Sequence, residues 1–295
     1  MIIDVTHTTT YAYADAVSLC HNLVHLRPRV APRQTCRQTQ LIVTPEPRAL
    51  VHGHDYFGNP ISLFTIQEPH KKLEIAVKHR IEISHPSPPT PLPQGARGVM
   101  SWEEVRDSIR TDRNHLEACQ FTYDSHYVAR SNALLEYAAP SFAAGRPMLD
   151  AVADLTARIH REFRYDAKAT TLATPLKEVL QHRHGVCQDF AHLAIGCLRS
   201  LGLAARYVSG YLQTNVPEGK ERLIGADASH AWLSVFCPDV GWVDFDPTNN
   251  MIPADRHLTI AWGRDYDDVS PIKGVILGGG SHTMTIAVDV APLAV

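Results

Sequence analysis

Residues His85-Pro86-Ser87-Pro88-Pro89-Thr90-Pro91-Leu92-Pro93 cannot be the inside of any regular element. Proline has no N–H to give a helix or a sheet ladder, and its ring clashes with the preceding turn of a helix. A chain interrupted this way folds as something before the prolines and something after them. The hydropathy pattern changes at the same place. Before it, Val5-Thr6-His7-Thr8-Thr9-Thr10-Tyr11-Ala12-Tyr13, residues 39–44 and residues 73–83 are β-branched or alternate with period two. Turn signals lie between them at Glu46-Pro47 and Asp55-Tyr56-Phe57-Gly58-Asn59-Pro60. Short strands separated by turns predict a small β-sandwich over 1–84. The linker is 85–98, and 99–295 forms a second domain.

The second domain opens in helical periodicity. Leu149, Val152, Leu155, Ile159 and Phe163 mark one face of a helix beginning near Pro147. Thr174-Pro175 reads as an N-cap with proline at the first helical position, and that short helix stops before Gly185. Strands follow over 204–214, 229–237 and 242–246, then around 258–262 and 283–290. The fold class is therefore α+β.

The chain has 295 residues, a net charge of −3 and no basic tract, which argues against nucleic acid or an anionic membrane as partner. No apolar run approaches the ~20 residues of a membrane helix, and the start Met1-Ile2-Ile3-Asp4-Val5 lacks the build of a signal peptide. Six scattered cysteines without a CxxC pair read as free thiols. A cytoplasmic location is the expectation.

One of those cysteines has a special position. In His184-Gly185-Val186-Cys187-Gln188-Asp189-Phe190-Ala191-His192 a glycine-marked turn becomes a helix, whose stripe is Phe190, Leu193, Ala194, Cys197, Leu198 and Leu201. Cys187 stands at the N-terminus, where unsatisfied N–H groups and the positive end of the helix dipole offer the electrostatic setting of a nucleophile. A cysteine nucleophile needs a base, and the base needs an orienting group. His230 opens a strand after a long loop, and a second strand, Trp242-Val243-Asp244-Phe245-Asp246, follows a turn. If the two strands form a hairpin whose paired numbers sum to 476 or 478, His230 and Asp246 share a face; an odd sum separates them. Asp244 shares that face too and rivals Asp246. His182, His184 and His192 lie near Cys187, but their spacing matches no zinc pattern. The backbone N–H of Cys187, or the Gln181 amide, would serve an oxyanion.

Three ordered motifs, Gly185-Val186-Cys187-Gln188-Asp189-Phe190-Ala191-His192, Asp227-Ala228-Ser229-His230-Ala231-Trp232 and Gly241-Trp242-Val243-Asp244-Phe245-Asp246-Pro247-Thr248-Asn249, closely resemble the bacterial transglutaminase-like superfamily. His7-Thr8-Thr9 and Asp55-Tyr56-Phe57-Gly58-Asn59 resemble the β domain preceding that core in one bacterial subgroup, and residues 263–271 are also typical of it. The resemblance implies a papain-like core of helices packed on an antiparallel sheet and a triad of Cys187, His230 and Asp246, deciding for Asp246 over Asp244. It implies thiol-dependent acyl transfer on peptide or amide bonds, with hydrolysis preferred because bacterial members are commonly regarded as cysteine proteases. Cross-linking of glutamine side chains and a non-catalytic peptide-binding scaffold are the alternatives. No cofactor or metal is required, and association with ATP-dependent peptide-ligase proteins would make a short peptide or peptide tag the substrate.

Overall fold

A computed structural model describes residues 1–84, 100–166, 174–213 and 229–293. The proline linker and the loop before His230 lie outside the described residues. The first strand, Ile2–Val24, organises the N-terminal domain. Its first half pairs with His70–Ile83, which in turn pairs with Gln34–Thr44. Its second half pairs with Pro60–Ile66, which carries Ala49–His54. Between Ile3 and Thr9 every second residue is buried, the alternation that one covered face requires. Past an irregularity between Ala12 and Val17, the buried set becomes Val17, Cys20, Asn22 and Val24. Leu73, Ile75, Val77 and Val43 from one half then share a cluster with Phe64, Ile66 and Val24 from the other. The expected sandwich is thus one continuous sheet folded over its own core.

The C-terminus corrects the expected division of the chain. Ile272–Gly278 and His282–Pro292, placed above with the second domain, both pair antiparallel with the first strand. A 23-residue strand has two long edges, and unpaired edges leave backbone groups unsatisfied. The C-terminal strands cover the edge that the N-terminal ones leave open, so the chain returns to the domain it started from.

The second domain is a four-stranded antiparallel sheet in the order Gly241–Phe245, Ser229–Cys237, Ala205–Leu212, His257–Gly263. Helix Cys187–Ser200 packs on one face and is buried from Asp189 to Arg199, a central position that explains its apolar residues on every side. Helices Asn132–Ala138, Met148–Glu162 and Leu176–His182 surround it. Met148–Glu162 starts at the expected place after Pro147. In Leu176–His182 the proline itself occupies the cap position, one residue later than Thr174. Arg199 is fully buried in this layer and donates to the carbonyls of Phe121, Ala205 and Arg264 and to Ser125 Oγ.

The two domains share one core. Ile3, Val5, Ile81, Val288 and Val290 belong to the same buried cluster as Phe190, Leu193 and Leu233. His7 Nδ1 lies 2.8 Å from Tyr211 Oη of the second sheet. Two amides from the first domain saturate the edge strand His257–Gly263: Gln34 bonds both the N–H and the carbonyl of Thr259, and Asn59 does the same for Trp262. Asn59 is aimed by Asp55, whose carboxylate accepts from the Asn59 backbone and side chain. The sequence words His7-Thr8-Thr9 and Asp55-Tyr56-Phe57-Gly58-Asn59 thus contain residues that join the domains.

Candidate active site

The path into Cys187 is held residue by residue. Arg183 leaves the preceding helix with φ 57°, and His184–Gly185 forms a short parallel pair with Arg164–Tyr165. Val186 is extended, and its N–H donates to the Asp189 carboxylate at 2.8 Å. A side-chain carbon on Gly185 would lie 2.7 Å from Asp189 Oδ2, so only glycine allows this carboxylate to close the helix start. Cys187 is the first helical residue and half-buried. Its N–H has no carbonyl within its own helix to bond and is available to a developing oxyanion.

The hairpin register is 478, as Trp242 faces Phe236 and Asp244 faces Ser234. Asp246, one residue past its strand, therefore lies a diagonal step from His230 on the same face. Their side chains meet: His230 Nε2 is 2.7 Å from Asp246 Oδ2. That contact leaves Nδ1 as the ring nitrogen for the Cys187 thiol, and the thiol is one of the groups that raise the His230 pKa. Asp244, the rival on this face, instead accepts from Trp232 Nε1 at 3.0 Å. Trp232 crosses the sheet over Gly210, where any Cβ would collide with its ring and with the Leu258 carbonyl.

Sequence reasoning missed two further partners of Asp246. His257 Nε2 lies 3.0 Å and Asn249 Nδ2 2.7 Å from the same Oδ2. Oδ1 accepts the N–H groups of Thr248 and Asn249 at 2.9 and 3.2 Å. Asn249 was within the motif, where its place two residues after Pro247 was the available signal. His257 gave none: the chain from 246 to 256 carries it across to the far edge of the sheet, and only the fold returns it to Asp246.

Electrostatics follow from this cluster. Asp246 has no exposed surface, and burial opposes its charge. Hydrogen bonds from His230, His257 and Asn249 outweigh burial and hold the carboxyl well below the usual carboxylate range. Burial likewise works against a charged His230. Hydrogen bonds and charge at Asp246 and Cys187 more than reverse that, raising it from 6.5 to about 9. His230, Asp246 and His257 bring donor atoms of metal-ligand type within 4.8 Å of one another. The 2.7 and 3.0 Å separations are those of histidine N–H groups donating to a carboxylate.

The other candidates lie apart. Gln181 is exposed in the last turn of its helix. The His182 and His184 rings stack on each other at 5.7 Å. His192 is buried, accepts the Tyr266 N–H at 3.1 Å and is pushed down to about 3 by burial. With Cys187 these histidines form no metal-type cluster among the described residues.

Comparison with known proteins finds two family models. Residues 3–82 match the bacterial transglutaminase-like N-terminal region, and residues 136–247 match the transglutaminase-like superfamily. An uncharacterized protein of Mycobacterium tuberculosis is 40% identical over 293 residues, spanning 98% of this chain and 92% of its own length. A Pseudomonas aeruginosa protein-glutamine gamma-glutamyltransferase is 30% identical over 107 residues, 34% of this chain and 16% of that protein. A crystal structure from Cytophaga hutchinsonii, described as a "Putative Cysteine Protease", superposes with a TM-score of 0.77 at 20% identity, covering 100% of this chain and 91% of that one.

Proposed function

Since this chain belongs to the transglutaminase-like superfamily, we propose that it is a thiol-dependent acyl-transfer enzyme hydrolysing a peptide or amide bond through Cys187, His230 and Asp246. The observation that supports the reading is the 2.7 Å contact between Asp246 and His230 Nε2, which fixes the ring and leaves Nδ1 for the thiol at the helix N-terminus. In the proposed reaction the Cys187 thiol gives its proton to His230 and its sulfur bonds to the amide carbon while the carbonyl π pair moves onto oxygen, beside the Cys187 N–H. As the C–N bond breaks, the His230 imidazolium gives its proton to the leaving amine. Water then gives a proton to His230 and its oxygen bonds to the thioester carbon, releasing acid and thiol. Asp246 remains ionised throughout and holds the imidazole in place.

Hydrolysis is favoured because a neighbour that matches the fold over the full chain is described as a "Putative Cysteine Protease". Transamidation has its own support in the local match to the Pseudomonas gamma-glutamyltransferase, and in that reading a primary amine replaces water. The substrate is proposed to be a peptide or protein. The deciding experiment supplies a peptide library with and without a primary amine and weighs the products. Hydrolysis adds water to the acyl fragment and transamidation adds the amine. Cys187→Ala should abolish both while leaving the thermal melt nearly unchanged; turnover surviving that change would place the chemistry elsewhere.

A further inference from the structure

On the sheet face that carries Asp244 and His257 lies a cavity of about 600 Å³ at the seam between the two domains. Residues 31–34 and Ile83 of the first domain form one wall, and Trp242, Trp262 and His257 of the second form another. Arg206, only 6% exposed, sits in this lining. Its guanidinium carbon is 4.1 Å from the centre of the Trp242 ring and 3.7 Å from that of Trp262. The faces of the cation are thus taken by indoles, and only the in-plane N–H edge remains for an acceptor. Nε is buried without a partner, and among the described residues none accepts a hydrogen bond from either terminal nitrogen. Ser234, paired directly with Arg206 on one side and Asp244 on the other, has a buried hydroxyl that is also unpartnered.

Buried donors of this strength are rarely left unmet in a folded protein. Asp244, which lies across Ser234 from Arg206, already accepts from Trp232. Around the cavity Arg33 and Arg206 stand against Glu117 and Asp244, while on its other side Trp262 is covered by Arg29. A fork of N–H groups confined to one plane matches a carboxylate, which takes two parallel hydrogen bonds. The volume is within the range of sites for small ligands.

We propose that this interdomain cavity is a binding site for a small carboxylate ligand, held in the plane of the Arg206 guanidinium between Trp242 and Trp262. The carboxylate belongs either to a free amino acid or to the C-terminus of a short peptide. The site is separate from Cys187 and does not depend on the reaction Cys187 performs. Its far wall, His257, also bonds Asp246, so an occupant would adjoin the polar cluster behind the candidate base.

Binding tests this on the full chain carrying Cys187→Ala, so that no turnover intervenes. Alanine, N-acetylalanine, trialanine and trialanine amide are titrated in turn, following tryptophan fluorescence and heat. The expected result is saturable binding of at least one carboxylate. Trialanine amide should bind about tenfold more weakly than trialanine, or not at all, as the loss of a charge-assisted pair requires. Binding by alanine alone identifies a free amino acid as the source, and binding by trialanine identifies a peptide terminus. Arg206→Met should remove the binding, and Arg206→Lys, which keeps the charge but loses the fork, should weaken it. The proposal is overturned if no carboxylate saturates, if trialanine binds and its amide binds as tightly, or if folded Arg206→Met retains the parent affinity. The acid–amide comparison needs no variant at Arg206, so it decides even if Arg206→Met does not fold.

Discussion

Asp246→Asn is the most informative perturbation of the candidate site. Asparagine keeps the shape and removes the charge that three side chains address through Oδ2. With Asp246 intact His230 is raised from 6.5 to about 9, a difference worth about 3 kcal/mol. Without that carboxylate, burial is opposed only by Cys187, and His230 should titrate near or below 6.5. The assay is histidine NMR from pH 5 to 10, with the His230 resonances assigned by their loss in His230→Gln. The same pair makes a stability statement. His230 has a raised folded value, so its contribution is complete below about pH 6.5 and is lost as pH rises through about 9. Asp246 has a lowered value, so its contribution is complete above about pH 4 and is lost as acid protonates the folded state. The stability gap between wild type and Asp246→Asn should therefore be widest between about pH 4 and 6.5, and urea unfolding across that range measures it. A wild-type His230 midpoint at or below 6.5, or one that Asp246→Asn does not move, would refute the reasoning. If the proposed triad operates, turnover should fall by roughly 10²- to 10⁴-fold in the same variant.

Three further outcomes are expected. His257→Phe removes one of the three side-chain donors to Asp246 Oδ2, a net loss of about 1–2 kcal/mol, so turnover should fall roughly tenfold with KM little changed, read from steady-state kinetics. Gly185→Ala forces a carbon against Asp189 and should lower stability by about 1–3 kcal/mol while slowing iodoacetamide labelling of Cys187; an unchanged melt and labelling rate would contradict the geometry. Asn59→Ala strips the Trp262 backbone of both its side-chain partners and should cost about 2 kcal/mol in urea unfolding, far more than Ala substitution at exposed Asn114.

Local pattern was enough for much of the molecule. Period-two alternation identified the strands around the first domain because a sheet with one covered face repeats every two residues. The apolar stripe after Cys187 identified the central helix for the corresponding reason at 3.6 residues. The even pairing of His230 and Asp246 was legible as a condition, since strand parity leaves only two possibilities per register class. The observed 478 register satisfies it.

What only the tertiary structure decided concerns residues brought together from far apart in the chain. The C-terminal strands join the first sheet because an open edge there needed partners, and no local signal says which edge a strand will find. His257 bonds Asp246, and Arg206 is enclosed by Trp242 and Trp262, through sheet order and not spacing. The reason is physical. Helix and strand periods follow from the backbone of consecutive residues, whereas burial, charge pairing and the satisfaction of a side chain depend on what the rest of the chain places against it. Sequence alone selected Cys187, His230 and Asp246 as candidates; the fold supplied the 2.7 Å contact between the last two and the two extra donors to Asp246.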